Sequence, residues 1–418
     1  MGHMGSGLGV YGKLQRRLDR YPIGAPPAKE LYEILRILFS EKEASIASRM
    51  PIRFSDIGEL SRLTKKSEKE LQPLLNQMAD KGLVMDFERR GKTYYMLSPT
   101  LLGFFEFTFM RVRDDIPQKK LAHLMWDYAH ENRDVVPGIF SGQTEPGRAL
   151  VYEDALSEED RSQILTHEVA SGLISEAKKI AVGLCYCRHI REHQGDKCKY
   201  PMDVCTSLNG GADFVVRRGF MREISKEEAL DIFERTKEEG LVYVADNVKR
   251  RPTFICNCCG CCCGMLGAFK KFQMTHAVAT STYVAQVDHE KCKGCERCAK
   301  RCQVNLISLV SKNGEKRALV NEELCLGCGV CATGCKESAI RMERKGERII
   351  TPESAKEKYL MMLLEQGKLG NHIFDDFTSL PYAAARSMVN AINSLPPVKK
   401  YLSSVDVKSR YVKRLVSR

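Results

Sequence analysis

Two runs of cysteine repeat one spacing: Cys292, Cys295, Cys298 and Cys302 read C-x2-C-x2-C-x3-C, and Cys325, Cys328, Cys331 and Cys335 read the same. Three thiolates on one tight loop can hold three corners of an iron-sulfur cubane, whereas the fourth falls at the start of a helix that points elsewhere. The runs must therefore exchange their last ligands. On that logic Cys292, Cys295, Cys298 and Cys335 hold one [4Fe-4S] cluster, and Cys325, Cys328, Cys331 and Cys302 hold a second. Zinc fits this pattern poorly, because it takes four ligands in one closed site.

Ten further cysteines precede these runs. Cys185 and Cys187 are two apart on an expected strand, which would turn both side chains to one face, and Cys198 and Cys205 follow across a loop rich in charge, Gly and Pro. These four could complete a third cluster, with loop N–H groups supplied to the sulfurs. His189 and His193 are near enough to replace a thiol, although two surface histidines in a basic loop need no such role. Then come Cys256, Cys258, Cys259, Cys261, Cys262 and Cys263, six thiols in eight residues. Exposed thiols at this density would oxidise and buried thiolates would repel one another. Bound iron, another soft metal or an active thiol pair is the natural explanation. Two arrangements stay open: four of the six hold a fourth cluster, or two or three of them join Cys185 and Cys187 in a non-cubane or substrate-facing site. One or two iron-sulfur clusters beyond the first two are expected.

The elements that carry these thiols read as a small α/β unit over 180–283. Ile180 to Cys187 alternates as a strand, and Ser225 with Glu228 forms a capping box that opens a helix ending at Gly240. Leu241 to Ala245 and Thr253 to Cys256 read as strands again. If the strands ending in CYCRH and CNCCGCCC lie side by side, their ends gather many thiols. Residues 101–179 read as a helical linker region. Its aromatic stretch Phe104, Phe105, Phe107 and Phe109 fits core better than a cofactor box, Ser157 begins one helix, and another is expected from about His167 to Lys179.

Upstream, three amphipathic helices are expected at Lys29 to Ser40, Phe54 to Leu63 and Ser67 to Lys81, the last stopped by Gly82. Strands Leu83 to Arg89 and Thr93 to Leu97 follow around a turn at Arg90-Gly91-Lys92. This segment, DIGELSRLTKKSEKELQPLLNQMADKGLVMDFERRGKTYYMLSP, resembles a winged helix-turn-helix of bacterial regulators over about seventy residues. Its thirteen Lys or Arg between Ala28 and Thr100 meet eleven Asp or Glu, a weak phosphate-binding footprint. A docking module or a homodimer contact is therefore expected ahead of DNA binding. The segment from about Val287 to Lys345, with CKGCERCAKRCQ and CLGCGVCATGCK, resembles the bacterial-type dicluster ferredoxin module. That resemblance implies relay of single electrons between partners and gives the eight cysteines above their ligand roles. The family usually places Pro after the fourth cysteine of each run, where Gln303 and Lys336 stand here.

The expected architecture is α+β and multidomain. It runs from a tag or flexible N-terminus (1–27) through a winged-helix-like domain (28–100), the helical linker region (101–179) and the cysteine-rich α/β unit (180–283). A ferredoxin-like dicluster domain (284–346) and a helical basic C-terminal tail (347–418) complete it. The tail holds seven Lys or Arg in 397–418 against one Asp, half of the net charge of +12. The whole resembles iron-sulfur proteins of anaerobic microbes. A length of 418 residues and 43% hydrophobic content allow several cores. With no export signal or apolar run long enough to span a bilayer, a cytoplasmic protein with reduced thiols is expected. Phosphate-loop, H-E-x-x-H and Ser-His-Asp patterns are absent from the reading, which argues against kinase or hydrolase chemistry. The expected role is an electron-transfer protein or oxidoreductase subunit serving a redox partner protein, the alternative a redox-sensing transcription regulator.

Overall fold

The computed structural model describes residues 9–140, 142–312, 315–346, 351–376, 379–401, 408 and 412. The chain opens with the helix Gly9–Leu18, whose Leu14 and Leu18, one turn apart, are buried together with Tyr21 and Ala25. This corrects the expectation of a flexible terminus over 1–27: the leucine pair is an apolar stripe that seats the segment in the first core. The tag-like residues at the very start lie outside the described residues.

The helix Lys29–Leu38 buries Leu31, Ile34, Leu35 and Leu38, the spacing of one helical face. Capping boxes at Ser40/Glu43 and Ser67/Glu70 open the helices Glu41–Ala47 and Glu68–Asp80. The helix expected from Phe54 begins only at Ile57, because Ser55 and Asp56 form a short strand, β1, and Asp56 then caps the helix by accepting from the Glu59 N–H. Strands β2 (Val84–Arg89) and β3 (Lys92–Leu97) pair antiparallel, with Arg90 and Gly91 both at positive φ in the two-residue turn, and the sheet order is β1-β3-β2. One apolar core runs through this unit and on to Phe140, taking in Phe104, Phe105 and Phe109.

The central sheet has seven strands in the order β10-β4-β8-β9-β6-β5-β7. These are β4 (Gly147–Ala149), β5 (Ile180–Gly183), β6 (Cys205–Leu208), β7 (Arg222–Glu223), β8 (Val242–Asp246), β9 (Phe254–Cys258) and β10 (Val278–Ala279). All neighbours are antiparallel except the β10–β4 pair. The sheet reaches back into the expected linker region for β4. It also separates the two cysteine-bearing strands, since β6 lies between β5 and β9 and adds Cys205. The strand expected through Cys187 stops at Gly183, where a Cβ would meet the Met221 side chain at 2.6 Å, and the helix Tyr186–His193 follows with Cys185 as its N-cap. The expected capping box at Ser225 is half formed. Ser225 Oγ accepts from the Glu228 N–H at 3.1 Å, while the Glu228 carboxylate pairs with Arg222.

Strand β11 (Tyr283–Val287) pairs antiparallel with β14 (Ile340–Arg344), and β12 (Ile307–Lys312) with β13 (Glu315–Val320), so the last cysteine runs sit between two small ribbons. The C-terminal helices fold back on the start of the chain instead of trailing as a tail. Arg17 pairs with Asp375 at 2.7 Å, and the other Asp375 oxygen accepts from the Ile52 N–H at 2.6 Å. Of the seven basic residues expected in 397–418, Arg410, Lys413, Arg414 and Arg418 lie outside the described residues. Among the described residues no helix is long and apolar enough to cross a membrane.

Candidate metal centres

The repeated runs fold as near-copies. Cys298 lies in the helix Arg297–Arg301 and Cys331 in Val330–Thr333, each opened by a residue in the left-handed region, Glu296 and Gly329. Gly294 and Gly327 hold positive φ at equivalent places, and a Cβ there would strike the backbone oxygens of Lys316 at 2.4 Å and Tyr283 at 2.1 Å. One cavity is lined by Cys292, Cys295, Cys298 and Cys335, the set that the exchange of last ligands names. Cys302 instead stands in the field of Cys325, and Cys328 and Cys331 in that of both. Burial pushes the Cys328 thiol up to about 12, a cost that bound iron would relieve. Backbone N–H groups already point at sulfur: Ala318 at Cys292 (3.4 Å), Leu306 at Cys302 and Ala339 at Cys335 (both 3.3 Å). Thiols converging in fours with N–H donors behind them fit iron-sulfur cubanes.

The other ten cysteines divide differently from the expectation. Cys198 does not join Cys185, Cys187 and Cys205. The helix Tyr186–His193 carries the chain away from Cys187, and Cys198 meets Cys259, Cys261 and Cys262, with all four Sγ atoms within 4.8 Å of one another. Cys198 lies 3.9 Å from Cys259 and 3.7 Å from Cys261, and Cys261 lies 3.6 Å from Cys262. The neighbouring Cys198, Cys261 and Cys262 thiols hold Cys259 well below the ordinary thiol range.

Cys185, Cys187 and Cys205 gather with Cys256, Cys258 and Cys263 as a six-thiol group. Each sulfur feels the next in the order Cys185, Cys187, Cys263, Cys258, Cys256, Cys205, and Cys263 donates to Cys258 at 3.3 Å. Strand geometry explains the division of the run. Cys256 and Cys258 share one face of β9, whereas Asn257 faces away and donates to the Val204 carbonyl at 2.8 Å. The chain then leaves the strand, loops through Cys259 to Cys262, and returns Cys263 as the N-cap of the helix Gly264–Phe272.

His189 and His193 are not placed as ligands. His189 Nδ1 donates to the Phe109 carbonyl at 2.8 Å and its Nε2 lies 3.2 Å from His193 Nε2, with both rings against Phe109. Three residues that the sequence reading left aside do touch the thiols or their supports. Arg188 is fully buried, donates to the carbonyls of Pro201 and Asn257, and stands beside Cys185, Cys198 and Cys259. Burial works against its charge, but the neighbouring thiols outweigh burial and raise its pKa. The CYCRH string holds this arginine in plain view, but an arginine next to cysteine has no fixed meaning until burial is known. Glu106 is buried near Tyr186, which in turn reaches Cys187. Burial lifts the Glu106 carboxyl to about 7 against hydrogen bonds from Gly103 and Tyr186. Gln303, noted only for replacing Pro, accepts from the Gly260 N–H at 2.8 Å and donates to Tyr200 Oη at 3.1 Å and to the Gly240 carbonyl at 2.8 Å.

A family model described as a 4Fe-4S dicluster domain matches residues 285–342. This segment is a ferredoxin-like iron-sulfur module. No curated protein and no solved structure matches the chain. The matched module and the cysteine cluster at Cys198 together support iron-sulfur chemistry and electron transfer.

Proposed function

We propose that the chain is an electron relay in which the dicluster module passes single electrons inward to the two central thiol groups, on behalf of a redox partner protein. One contact carries this reading. Gln303 follows Cys302, a ligand of the inner module cluster, and binds Gly260, which lies between Cys259 and Cys261 of the four-thiol group. The approach is close enough that a Cβ on Gly260 would lie 2.0 Å from the Gln303 carbonyl oxygen. Direction is supported by exposure. Cys295 of the Cys292 set is exposed, whereas none of Cys302, Cys325, Cys328 and Cys331 is, and the Cys328 carbonyl accepts from the Tyr152 N–H at 3.1 Å. Electrons would therefore arrive at the Cys292, Cys295, Cys298 and Cys335 cluster. They would pass to the Cys325, Cys328, Cys331 and Cys302 cluster, and then to Cys198, Cys259, Cys261 and Cys262. The bound clusters supply one-electron redox capacity, and the protein supplies spacing, burial and hydrogen bonds to sulfur. Anaerobic iron and acid-labile sulfide analysis tests the reading, and fewer than about eight iron atoms per chain would rule it out.

A redox-sensing regulator is the second reading. It draws on the order β1, helix, helix, β2, β3, which is that of a winged helix-turn-helix, and on exposed Lys65 and Lys69. Exposed Glu68 and Glu70 sit among those lysines, and Arg218 reaches Asn76 and Asp80 at the far end of the second helix. Both features favour a docking or dimerisation role for this unit over DNA contact.

A further inference from the structure

The six-thiol group has more ligands than one cubane can use. A [4Fe-4S] core has four iron corners, each needing one outside ligand, so four thiolates would serve and two would be left buried without a partner. Two separate cubanes need twice as many thiolates as one. When two cubanes share one bridging sulfide, each gives up a corner to the bridge, and the remaining corners number six. From the residues present, we infer that Cys185, Cys187, Cys205, Cys256, Cys258 and Cys263 hold one eight-iron unit of two sulfide-bridged cubanes. This rests on the relay reading above and assigns its inner terminus.

The supports divide in the way such a unit requires. Cys205, Cys256 and Cys258 come from adjacent strands β6 and β9, and Cys185, Cys187 and Cys263 from the first turns of two helices, three thiols for each cubane. The helices Tyr186–His193 and Gly264–Phe272 both turn their N-terminal N–H groups toward this group, with Cys185 and Cys263 as their N-cap residues. Those N–H groups and the buried Arg188 charge favour a core more negative than a single cubane. No disulfide joins any of the six, so all are available to iron.

The test is native mass spectrometry of the full chain, isolated without air and loaded with iron and sulfide. About twenty iron atoms per chain is the expected count, and about twelve would overturn the assignment, as would about sixteen unless the first variant pair below loses about eight of them. A count below about eight would defeat the relay reading itself, so the two failures are distinguishable. Partial loading is controlled by variants read in parallel. Cys187→Ser with Cys258→Ser should lose about eight iron atoms, and Cys259→Ser with Cys262→Ser about four. A loss of four or fewer from the first pair overturns the proposal. Retention of the dicluster paramagnetic signals shows that each variant is folded, and if the first pair does not fold, the wild-type count decides.

Discussion

Arg188 stands beside Cys259 of the four-thiol group and also beside Cys185 of the six-thiol group, so one buried guanidinium serves both central centres. A positive charge held there favours the more negative, reduced form of any cluster bound on either side. Arg188→Met should lower the reduction potential of the central centres by on the order of 100 mV, as expected for a unit charge several ångströms away at an intermediate effective dielectric. Arg188→Lys should recover much of that shift. Potentiometric titration followed by paramagnetic resonance checks both.

The contact of Gln303 with Gly260 gives a second expectation. Gln303→Ala removes three hydrogen bonds at the seam between module and central unit and should cost about 2 to 3 kcal/mol of stability. Both module clusters should persist, because Gln303 is not a ligand, while electron transfer inward slows. Denaturant unfolding and rapid-mixing reduction, followed in the visible band, separate the two effects. Unchanged transfer would remove the seam from the route.

The exchange of last ligands is testable by single substitutions. Cys302→Ser should disturb the cluster held by Cys325, Cys328 and Cys331, and Cys335→Ser the one held by Cys292, Cys295 and Cys298. Each should cost about four iron atoms or convert one cubane to a three-iron form. Resonance spectra of the partner cluster should stay intact. The reverse pattern would show that each run closes its own site.

Asp86 joins the N-terminal unit to the central one. It is buried, accepts from Arg217 at 2.7 Å and from Arg218 at 2.9 Å, and sits below the usual carboxylate range, because the arginine hydrogen bonds and charges outweigh burial. Its contribution is complete above the ordinary carboxylate pKa and is lost as pH falls through the lowered value. Asp86→Asn should cost roughly 2 to 3 kcal/mol near neutral pH, less than for a fully buried pair since both arginines are partly exposed. The difference from wild type should vanish in acid, as measured by thermal unfolding across pH.

Glu106 has the opposite sign. Its folded carboxyl titrates at about 7, above the ordinary carboxylate value, so the folded chain holds a proton that the unfolded chain has released. Stability therefore falls as pH rises through that window, by about 1.4 kcal/mol per unit. Glu106→Gln should flatten this slope while leaving acid stability nearly unchanged. An equal slope in both proteins would mean that another group carries it.

Local spacing made the module readable, because a cluster loop keeps its ligands within a few residues and shows them as a repeat. The division of the other ten thiols was hidden for the complementary reason. Cys198 and Cys261, or Cys205 and Cys256, meet only through the order of strands and the loops that leave them, and the sequence pattern does not show that β6 inserts between β5 and β9. The expected strand Ile180 to Cys187 runs over the first two residues of the Tyr186–His193 helix, since its alternation continues past Gly183, where β5 ends. Arg188 and Gln303 carried no spacing at all. Their meaning comes from burial and from a partner forty to seventy residues away.

The close approach of Gly329 to Tyr152 and Ala155 has a further consequence for traffic. A Cβ at 329 would lie 2.8 Å from the Ala155 methyl, so the dicluster segment is clamped on this side as it is at Gly260 on the other. A ferredoxin held in this way is a fixed terminal and does not diffuse as a shuttle. If the relay operates as proposed, the donor would have to make the journey, collide with the outer face and depart, and throughput would follow the abundance of that visitor.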